Sequence, residues 1–261
     1  MIIISRKDKF IIFALLFLIS LTTGCVKNGG EIKKTKNKGF QSAGDMRESL
    51  QNMDEGETGD NSTPEELYQF GIAYCQKAEE NSAFFRNERY QKALNSFQEV
   101  KEKYSYSEYA TLAELMMGDC YMGMKNYEEA ITAYREFRKL HPTNEYNPHV
   151  IFQSGMCYFN QMSSIDRDQT LAHNAIIEFE YLIDNYPGNE YVNQCRENIA
   201  ICRKGLAERS FYIGEFYFKK KSYSAALRRF NELLSDYPGL GLDEKARQYI
   251  SECKSFLNGK E

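Results

Sequence analysis

The sequence lacks several residue types and patterns on which many enzymes and nucleic-acid-binding proteins depend. It contains no tryptophan, three histidines and five prolines in 261 residues. No two cysteines have the CxxC spacing of a zinc site, and no glycine-rich phosphate loop or nucleophile elbow occurs. The formal net charge is −4, whereas a nucleic-acid-binding domain would carry a basic surface. The sequence therefore predicts no metal, no cofactor and no nucleic-acid partner.

The first 25 residues have the pattern of a bacterial lipoprotein signal. Three basic residues precede an apolar run at 10–21, which is shorter than the roughly 20 residues needed to span a bilayer. The run leads into "LTTGC", which resembles a lipobox and predicts lipid attachment at Cys25. The alternative is a secretory signal followed by an incidental cysteine. Removal of the predicted signal peptide, 1–24, deletes three basic residues and one acidic residue and changes the net charge from −4 to −6.

Residues 25–62 have the composition of a tether. They show no helical period and few large apolar residues, and they are basic first and acidic later. Such a segment cannot bury enough apolar surface to fold by itself. We expect it to connect a lipid on Cys25 to a folded domain at 63–261.

The domain at 63–261 contains an internal repeat. Apolar residues recur at helical spacing throughout it and no alternating run demands a sheet, so we expect an all-α domain. "MGDCYMGMKNYEEAITAYREFRKLHP" at 117–142 aligns without a gap with "IGEFYFKKKSYSAALRRFNELLSDYP" at 213–238. The shared positions have the spacing of the tetratricopeptide (TPR) repeat, a helix–turn–helix unit of about 34 residues. Small residues would let the two helices approach, aromatic residues would fill the seams, and proline would end each unit.

Two further copies appear when insertions are allowed. The first copy has ten extra residues between its helices and the third has eight. The sequence thus predicts a TPR-type α-solenoid of about four helix pairs. It also predicts one long or bent helix before Gly214, and a final solvating helix at 243–257 of the kind that a solenoid end requires. The aligned residues are Gly71, Tyr74, Tyr90, Ala93 and Phe97 in the first copy and Gly155, Tyr158, Ala175, Phe179, Leu182 and Pro187 in the third.

Several helix starts have capping signals. Thr63 with Glu66 predicts a capping box, and so does Asn126 with Glu129. Ser222 is expected to cap the second helix of the fourth pair, and residue Asn189 is expected to cap the long helix.

The pattern of the remaining cysteines and histidines indicates residues that pack in the core, and not a metal site or a catalytic site. Six cysteines follow Cys25, and we interpret them as small apolar residues between helices. Cys195 and Cys202 lie about 10 Å apart along one helix, too far for a disulfide. The three histidines lack the accompanying residues that a metal site or an activated nucleophile would need. Lys219–Lys221 is interpreted as a solvated helix end, with the edge of a binding surface as the alternative.

The stretch "SSIDRDQT" at 163–170 has the appearance of an active site, because Asp166 and Asp168 flank Arg167. A paired-carboxylate enzyme also needs a pocket and a group that positions the substrate. A loop between two solenoid helices supplies neither. We therefore expect a local role, in which an aspartate caps the next helix and the arginine ties the loop to neighbouring carboxylates.

The segments "RKLHPTNEY", "DRDQT", "FEYLIDNYPGNEY" and "LAERSFYIGEFYFKKKSYSAALRRFNELLSDYP" together resemble the BamD (ComL) family. These are the lipoprotein subunits of the machinery that inserts β-barrels into bacterial outer membranes. The resemblance covers about residues 63–258 and the lipobox, and Asp166, Arg167 and Asp168 are its most specific part. It implies a scaffold without an active site, held by lipid at the periplasmic face of the outer membrane.

The resemblance also implies partners. The C-terminal repeats would bind the periplasmic domains of BamA, with Arg229 as the main contact and Arg228 and Tyr223 beside it. Other subunits of the machinery would also associate, and the N-terminal repeats would meet unfolded outer-membrane proteins. The alternatives are another periplasmic TPR adaptor, serving Tol–Pal or peptidoglycan, and a lipid-anchored enzyme.

Lipid attachment at Cys25 is directly testable. We expect metabolic labelling with a palmitate analogue to mark the wild-type protein and to leave Cys25→Ser unmarked, because the thiol of Cys25 receives the first acyl chains. Labelling of the variant, or no labelling of the wild type, would show that Cys25 is not the anchor.

Overall fold

The computed structural model describes residues 62–80, 83–162 and 169–258. The predicted signal peptide, Cys25 and the tether up to residue 61 lie outside these ranges, and so do Asp166, Arg167 and Asp168. The described residues form an all-α fold, as the sequence predicts. Their nine helices are α1 (Pro64–Glu80), α2 (Ala83–Lys103), α3 (Glu108–Met124), α4 (Tyr127–Leu140), α5 (Asn147–Gln161), α6 (Thr170–Asn185), α7 (Val192–Lys219), α8 (Tyr223–Asp236) and α9 (Asp243–Asn258).

The helices are arranged as four pairs and a final helix, which confirms the predicted solenoid. Each helix packs on the next along the chain, and the first helix of each pair also contacts the first helix of the following pair. Contacts between neighbours alone are the mark of a repeat protein. Among the described residues, no helix is both long enough and apolar enough to cross a membrane.

The second helix of every pair buries the same stripe of three side chains. An alanine, an aromatic residue and a further apolar residue recur at positions i, i+4 and i+7, which lie on one face of a helix. All twelve side chains are at most 1% exposed. The four stripes are Ala93, Phe97 and Val100; Ala130, Tyr134 and Phe137; Ala175, Phe179 and Leu182; and Ala226, Phe230 and Leu233.

Each aromatic residue of this stripe lies against a glycine of its own pair. A Cβ atom built on Gly118 would stand 2.4 Å from the ring of Tyr134, and one on Gly214 would stand 2.6 Å from the ring of Phe230. Gly71 with Phe97 and Gly155 with Phe179 repeat the contact at 2.5 Å. The ring therefore occupies the space that any larger side chain would need. The repeat pattern predicts that the glycine allows close approach, and this is confirmed. It also predicts that the aromatic residues fill the seams between pairs, whereas these four rings lie inside their own pairs.

The turns inside pairs two and four are identical in form. Lys125 and Lys221 have φ values of 64° and 59°, in the left-handed region. The amide of Asn126 donates to the carbonyl of Tyr121 at 2.9 Å, and the amide of Ser222 donates to that of Tyr217 at 2.9 Å. These bonds close a Schellman turn at the end of each first helix.

The capping predictions have mixed outcomes. Thr63 and Glu66 form the predicted capping box, since each backbone amide donates to the other side chain, at 2.9 and 3.2 Å. Asn126 and Ser222 occupy the N-cap positions, but neither side chain makes a capping hydrogen bond. The predicted box at Asn126 is therefore wrong. The prediction for Asn189 is also wrong, because its side chain accepts from the amide of Tyr191, and α7 begins after that turn.

The insertion in pair one extends its helices. Helix α2 has 21 residues, whereas α4 and α8 have 14 each. Extra residues within a helix satisfy their own backbone hydrogen bonds, so the insertion adds length without a long loop.

Helix α7 is one helix of 28 residues, as the sequence predicts. Its first half, up to Leu206, belongs to the core that it shares with pair three. Its second half packs on α8 and α9 in a separate core, against Phe230 and Leu233. One helix thus completes pair three and begins pair four.

Two glycines on α7 should respond to alanine substitution in opposite directions. Gly205 has open space around its Cβ position, so Gly205→Ala should raise the free energy of unfolding by about 0.5–1 kcal/mol through helix propensity. Gly214→Ala should lower it by about 1–3 kcal/mol because the methyl group overlaps Phe230. Urea denaturation of both variants measures the difference. A loss of stability in Gly205→Ala would contradict the open environment of this glycine.

Candidate partner-binding surface

The two arginines predicted to bind a partner lie on different sides of α8. The buried stripe of α8 runs through Ala226, Phe230 and Leu233. At 100° per residue, Arg229 borders this stripe and Arg228 points away from it. Their side chains are 37% and 66% exposed, respectively. The structure thus distinguishes a half-buried arginine from a solvated one.

Arg229 is only partly satisfied in the free chain. Its Nη1 donates to Oε2 of Glu232 at 2.9 Å, one helical turn away. Its Nε is buried and has no hydrogen-bond acceptor among the described residues. Arg228 approaches the same carboxylate less closely, with 3.8 Å between its Nε and Oε1 of Glu232. A buried guanidinium donor without an acceptor is unusual and calls for an explanation.

Tyr223 does not join the arginines. It lies six residues before Arg229, about 9 Å along the helix and about 120° around it. Its ring stacks on Phe256 of α9, with 4.6 Å between ring centroids and 11° between planes, and its edge meets Phe218 at 5.5 Å. Tyr223 therefore belongs to the contact between the last pair and the final helix.

Two exposed aromatic residues on α7 were missed by the sequence analysis, which assigned most tyrosines to TPR seams. Tyr212 and Phe216 are one turn apart and are 49% and 48% exposed. The position two residues after the pair glycine is small and buried in the first three pairs, where it is Ala73, Cys120 or Cys157. In pair four the same position is Phe216. The change from a small residue to an aromatic one is visible in the gapless alignment of 117–142 with 213–238. This change is the signal that could have identified Phe216.

Repeat equivalence places Arg229 on the same side of pair four as these aromatic residues. Arg229 aligns with Ala133, which lines a small cavity together with Lys101 of the preceding pair. Tyr212 and Phe216 align with Met116 and Cys120, which pack into the core shared with the preceding pair. We call Tyr212, Phe216 and Arg229 the repeat-four face. It is open because the first half of α7 already covers pair three.

A lysine extends the repeat-four face. The ammonium group of Lys220 lies 5.9 Å from the ring centroid of Phe216, within the range of a weak cation–π contact. The side chain of Lys220 is exposed. This arrangement favours the alternative interpretation of the lysine run, in which it edges a binding surface.

A second polar cluster lies between pairs two and three. Asp119 accepts a hydrogen bond from the hydroxyl of Tyr134 at 2.6 Å and lies 3.1 Å from Nε2 of His149. Nδ1 of His149 lies 3.2 Å from the hydroxyl of Tyr191. These side chains come from α3, α4, α5 and the start of α7, so the cluster ties three pairs together.

Burial and charge oppose each other at His149. Burial alone would lower its pKa, but the Asp119 carboxylate and, more weakly, Glu190 outweigh burial, so that the pKa of His149 is raised above its ordinary value. Burial and the neighbouring carboxylates Glu190 and Asp119 raise the pKa of Tyr191 to about 12. The charged imidazole, in which both ring nitrogens donate, therefore persists to a higher pH than in an ordinary histidine.

The Asp119 cluster resembles a catalytic triad in composition, but its side chains are engaged with one another between packed helices. Among the described residues, no group of three or more His, Cys, Asp and Glu side chains could hold a metal ion. The geometry of the cluster supports a structural link between repeats.

Comparison with known proteins identifies the family. The family model YfiO, described as an outer membrane lipoprotein, matches residues 67–259. The chain belongs to this family. The match covers all four helix pairs and the final helix, and it confirms the family resemblance found in the sequence.

Two curated relatives of this YfiO-family chain share one name. The chain is 27% identical over 173 residues to the outer membrane protein assembly factor BamD of Caulobacter vibrioides. That alignment covers 60% of this chain and 57% of that protein. It is 33% identical over 85 residues to BamD of Buchnera aphidicola, covering 33% of this chain and 35% of that protein. The alignments thus span between about a third and just over half of these relatives.

Among solved structures, the chain is similar to MamA of Desulfovibrio magneticus. The identity is 17%, the match covers 74% of this chain and 85% of that chain, and the TM-score is 0.40. At this TM-score the likeness supports no conclusion about function.

The raised pKa of His149 predicts a pH dependence of stability. A group whose pKa is raised on folding stabilises the fold fully below its unfolded pKa, about 6.5, and loses that contribution as pH rises through its folded pKa. The melting temperature of wild type should therefore exceed that of His149→Gln more at about pH 5.5 than at about pH 8.5. The exposed His173, changed to Gln, is the matched control and should show no such trend. A wild-type advantage that grows with pH would contradict the raised pKa of His149.

Proposed function

We propose that this chain is a lipid-anchored scaffold subunit of an outer-membrane β-barrel assembly machinery. Two observations support the proposal: the YfiO match over 67–259 and the name shared by relatives, outer membrane protein assembly factor BamD. A lipid on Cys25 would hold the chain at the periplasmic face of the outer membrane, and the solenoid would act without catalysis. The partner would be the periplasmic region of BamA, together with other subunits of the machinery.

The observation that carries the binding part of this proposal is the repeat-four face. The residue equivalent to Phe216 is buried in every earlier pair, whereas Tyr212 and Phe216 are about half exposed. Tyrosine and arginine are among the residues enriched in interface hot spots. Burying an aromatic side chain of this kind contributes about 1.5–3 kcal/mol. The face therefore offers two aromatic anchors and one positive charge on the same side of pair four.

Arg229 would supply the specificity of the contact. Arginine presents five donors in a fixed fork that matches a carboxylate. In the free chain Arg229 has Glu232 as its partner at Nη1 and an unused donor at Nε. A carboxylate from BamA would meet the exposed part of this guanidinium, which is 37% exposed as a side chain, and would desolvate it, which strengthens the pair relative to its solvated form. We infer that Glu232 holds Arg229 in place until the partner binds.

The proposal for unfolded clients concerns pair one. Phe85 of α2 is 47% exposed. The guanidinium carbon of Arg89 lies 5.9 Å from its ring centroid. An apolar ring with a neighbouring cation suits an extended segment with aromatic residues and a carboxylate. We propose this part of α2 as the site at which unfolded outer-membrane proteins make contact.

A test of the BamA contact compares the two arginines. Arg229→Ala should weaken binding to the periplasmic region of BamA by about 2–5 kcal/mol, much of it from the partner charge left unpaired. Arg228→Ala should cost less than about 1 kcal/mol, because a solvated arginine contributes little. Isothermal titration calorimetry measures both affinities, and circular dichroism checks that each variant stays folded.

The controls separate the proposed face from the rest of the surface. Phe216→Ala should weaken binding without loss of stability, since the ring is half exposed. Equal and small losses for Arg228→Ala and Arg229→Ala would show that Arg229 is an ordinary surface residue. Affinity purification from detergent-solubilised membranes addresses the wider proposal. Recovery of a Tol protein or a peptidoglycan-linked protein in place of BamA would identify the chain as a different periplasmic adaptor.

A further inference from the structure

Two cysteines meet in the core between pairs one and two. The Sγ atoms of Cys75 on α1 and Cys120 on α3 are 3.5 Å apart, and the two side chains are 3% and 0% exposed. We propose that Cys75 and Cys120 form a disulfide when the chain folds in an oxidising compartment. The geometry of the structure identifies the two cysteines. The oxidising compartment rests on the periplasmic location in the proposed function.

The geometry requires little movement. A disulfide bond is about 2.05 Å long, so each sulfur must move about 0.7 Å toward the other. Side-chain rotation about χ1 can supply much of this shift. Helices α1 and α3 pack against each other, with Cα atoms of the two helices within 8 Å. The two cysteines are thus on helices that are already in contact.

Among the described residues, the other four cysteines have no such partner and act as internal controls. Sγ of Cys157 lies 3.4 Å from Sδ of Met122, and Sγ of Cys202 lies 3.7 Å from Sδ of Met162. A thioether cannot form a disulfide with a thiol. Cys195 and Cys253 are buried and free. These four thiols have similar burial and thus serve as a comparison for the one pair that can react.

The chemistry is a thiol–disulfide exchange with a protein disulfide or oxidised glutathione as oxidant. The thiolate of one cysteine attacks a sulfur of the oxidant, forms a mixed disulfide and releases one thiolate. The second cysteine then attacks the cysteine sulfur of the mixed disulfide and releases the other thiolate. Two electrons pass from Cys75 and Cys120 to the oxidant, and their two protons go to the released thiolates.

The reaction must occur before the core closes. The hydrogen bond with Cys75 and then burial raise the pKa of Cys120 well above its ordinary value, and the thiolate is the reactive form. Both side chains are also closed to a bulky oxidant in the folded chain. The bond therefore forms while pair one is still docking, and the completed core then protects it from reductants.

The bond would secure the end of the solenoid. Among the described residues, pair one packs against pair two alone, and terminal repeats depend on a single interface. A link between residues 45 positions apart restricts the unfolded chain and favours the docked state. The disulfide would thus hold pair one on pair two.

Differential labelling tests the proposal on the wild-type protein. Full-length protein is solubilised from membranes, denatured and alkylated with N-ethylmaleimide, then reduced and alkylated with iodoacetamide. Peptide mass spectrometry should find the second reagent on Cys75 and Cys120. It should find the first reagent on Cys157, Cys195, Cys202 and Cys253. First-reagent labelling of Cys75 and Cys120 to the same extent as the other four would overturn the proposal.

A refolding experiment separates this inference from the proposed function. The same protein is unfolded in urea with reductant and refolded with oxidised glutathione. A cross-linked peptide joining Cys75 and Cys120 should form, and reduction should lower the melting temperature by several degrees. Cys120→Ala should abolish both the cross-link and the effect of reductant. If no cross-link forms, the proposal is wrong, whether or not the chain binds BamA; if BamA binding fails while the cross-link forms, only the proposed function is lost.

Discussion

The contact between one glycine and one aromatic ring determines the architecture of this chain. In each of the four pairs the ring fills the space where a Cβ atom would stand, at 2.4–2.6 Å. The distance between the two helices of a pair is thereby fixed, and the alanine and the third apolar residue of the stripe can then be fully buried. Once the pair has this shape, the first helix of the next pair closes the core. The stacking of the solenoid is the same local contact repeated along the chain.

The fourth pair departs from this repetition, and its departure is where function is expected. Helix α7 uses its first half to cover pair three and its second half to begin pair four. The face that an ordinary repeat would bury is left in solvent, and it carries Tyr212, Phe216 and Arg229. In the remainder of the fold, a partly buried network of Asp119, His149 and Tyr191 links pairs two and three to the start of α7. These junctions are closed by packing and polar contacts, whereas the repeat-four face stays exposed.

The repeats could be predicted because their signal is local and redundant. Four copies of the same spacing fix the helix pairs, the long α7 and the final α9, even with insertions. The side-chain partners could not be predicted in the same way, because they depend on rotation between helices. Cys75 and Cys120 are 45 residues apart and become neighbours only when α3 docks on α1. Asn126 and Ser222 stand at the expected helix starts, yet neither side chain makes a capping hydrogen bond.

Gly205 gives the long helix a point at which it can bend. It lies next to Leu206, the last residue of α7 in the core of pair three, and no side chain packs against its Cβ position. The remainder of α7, from residue 205 to 219, is about 21 Å long. A bend of about 10° at this point would carry the far end of the helix through about 4 Å. Such a lever would let the repeat-four face meet partners at slightly different angles while pairs one to three keep their packing.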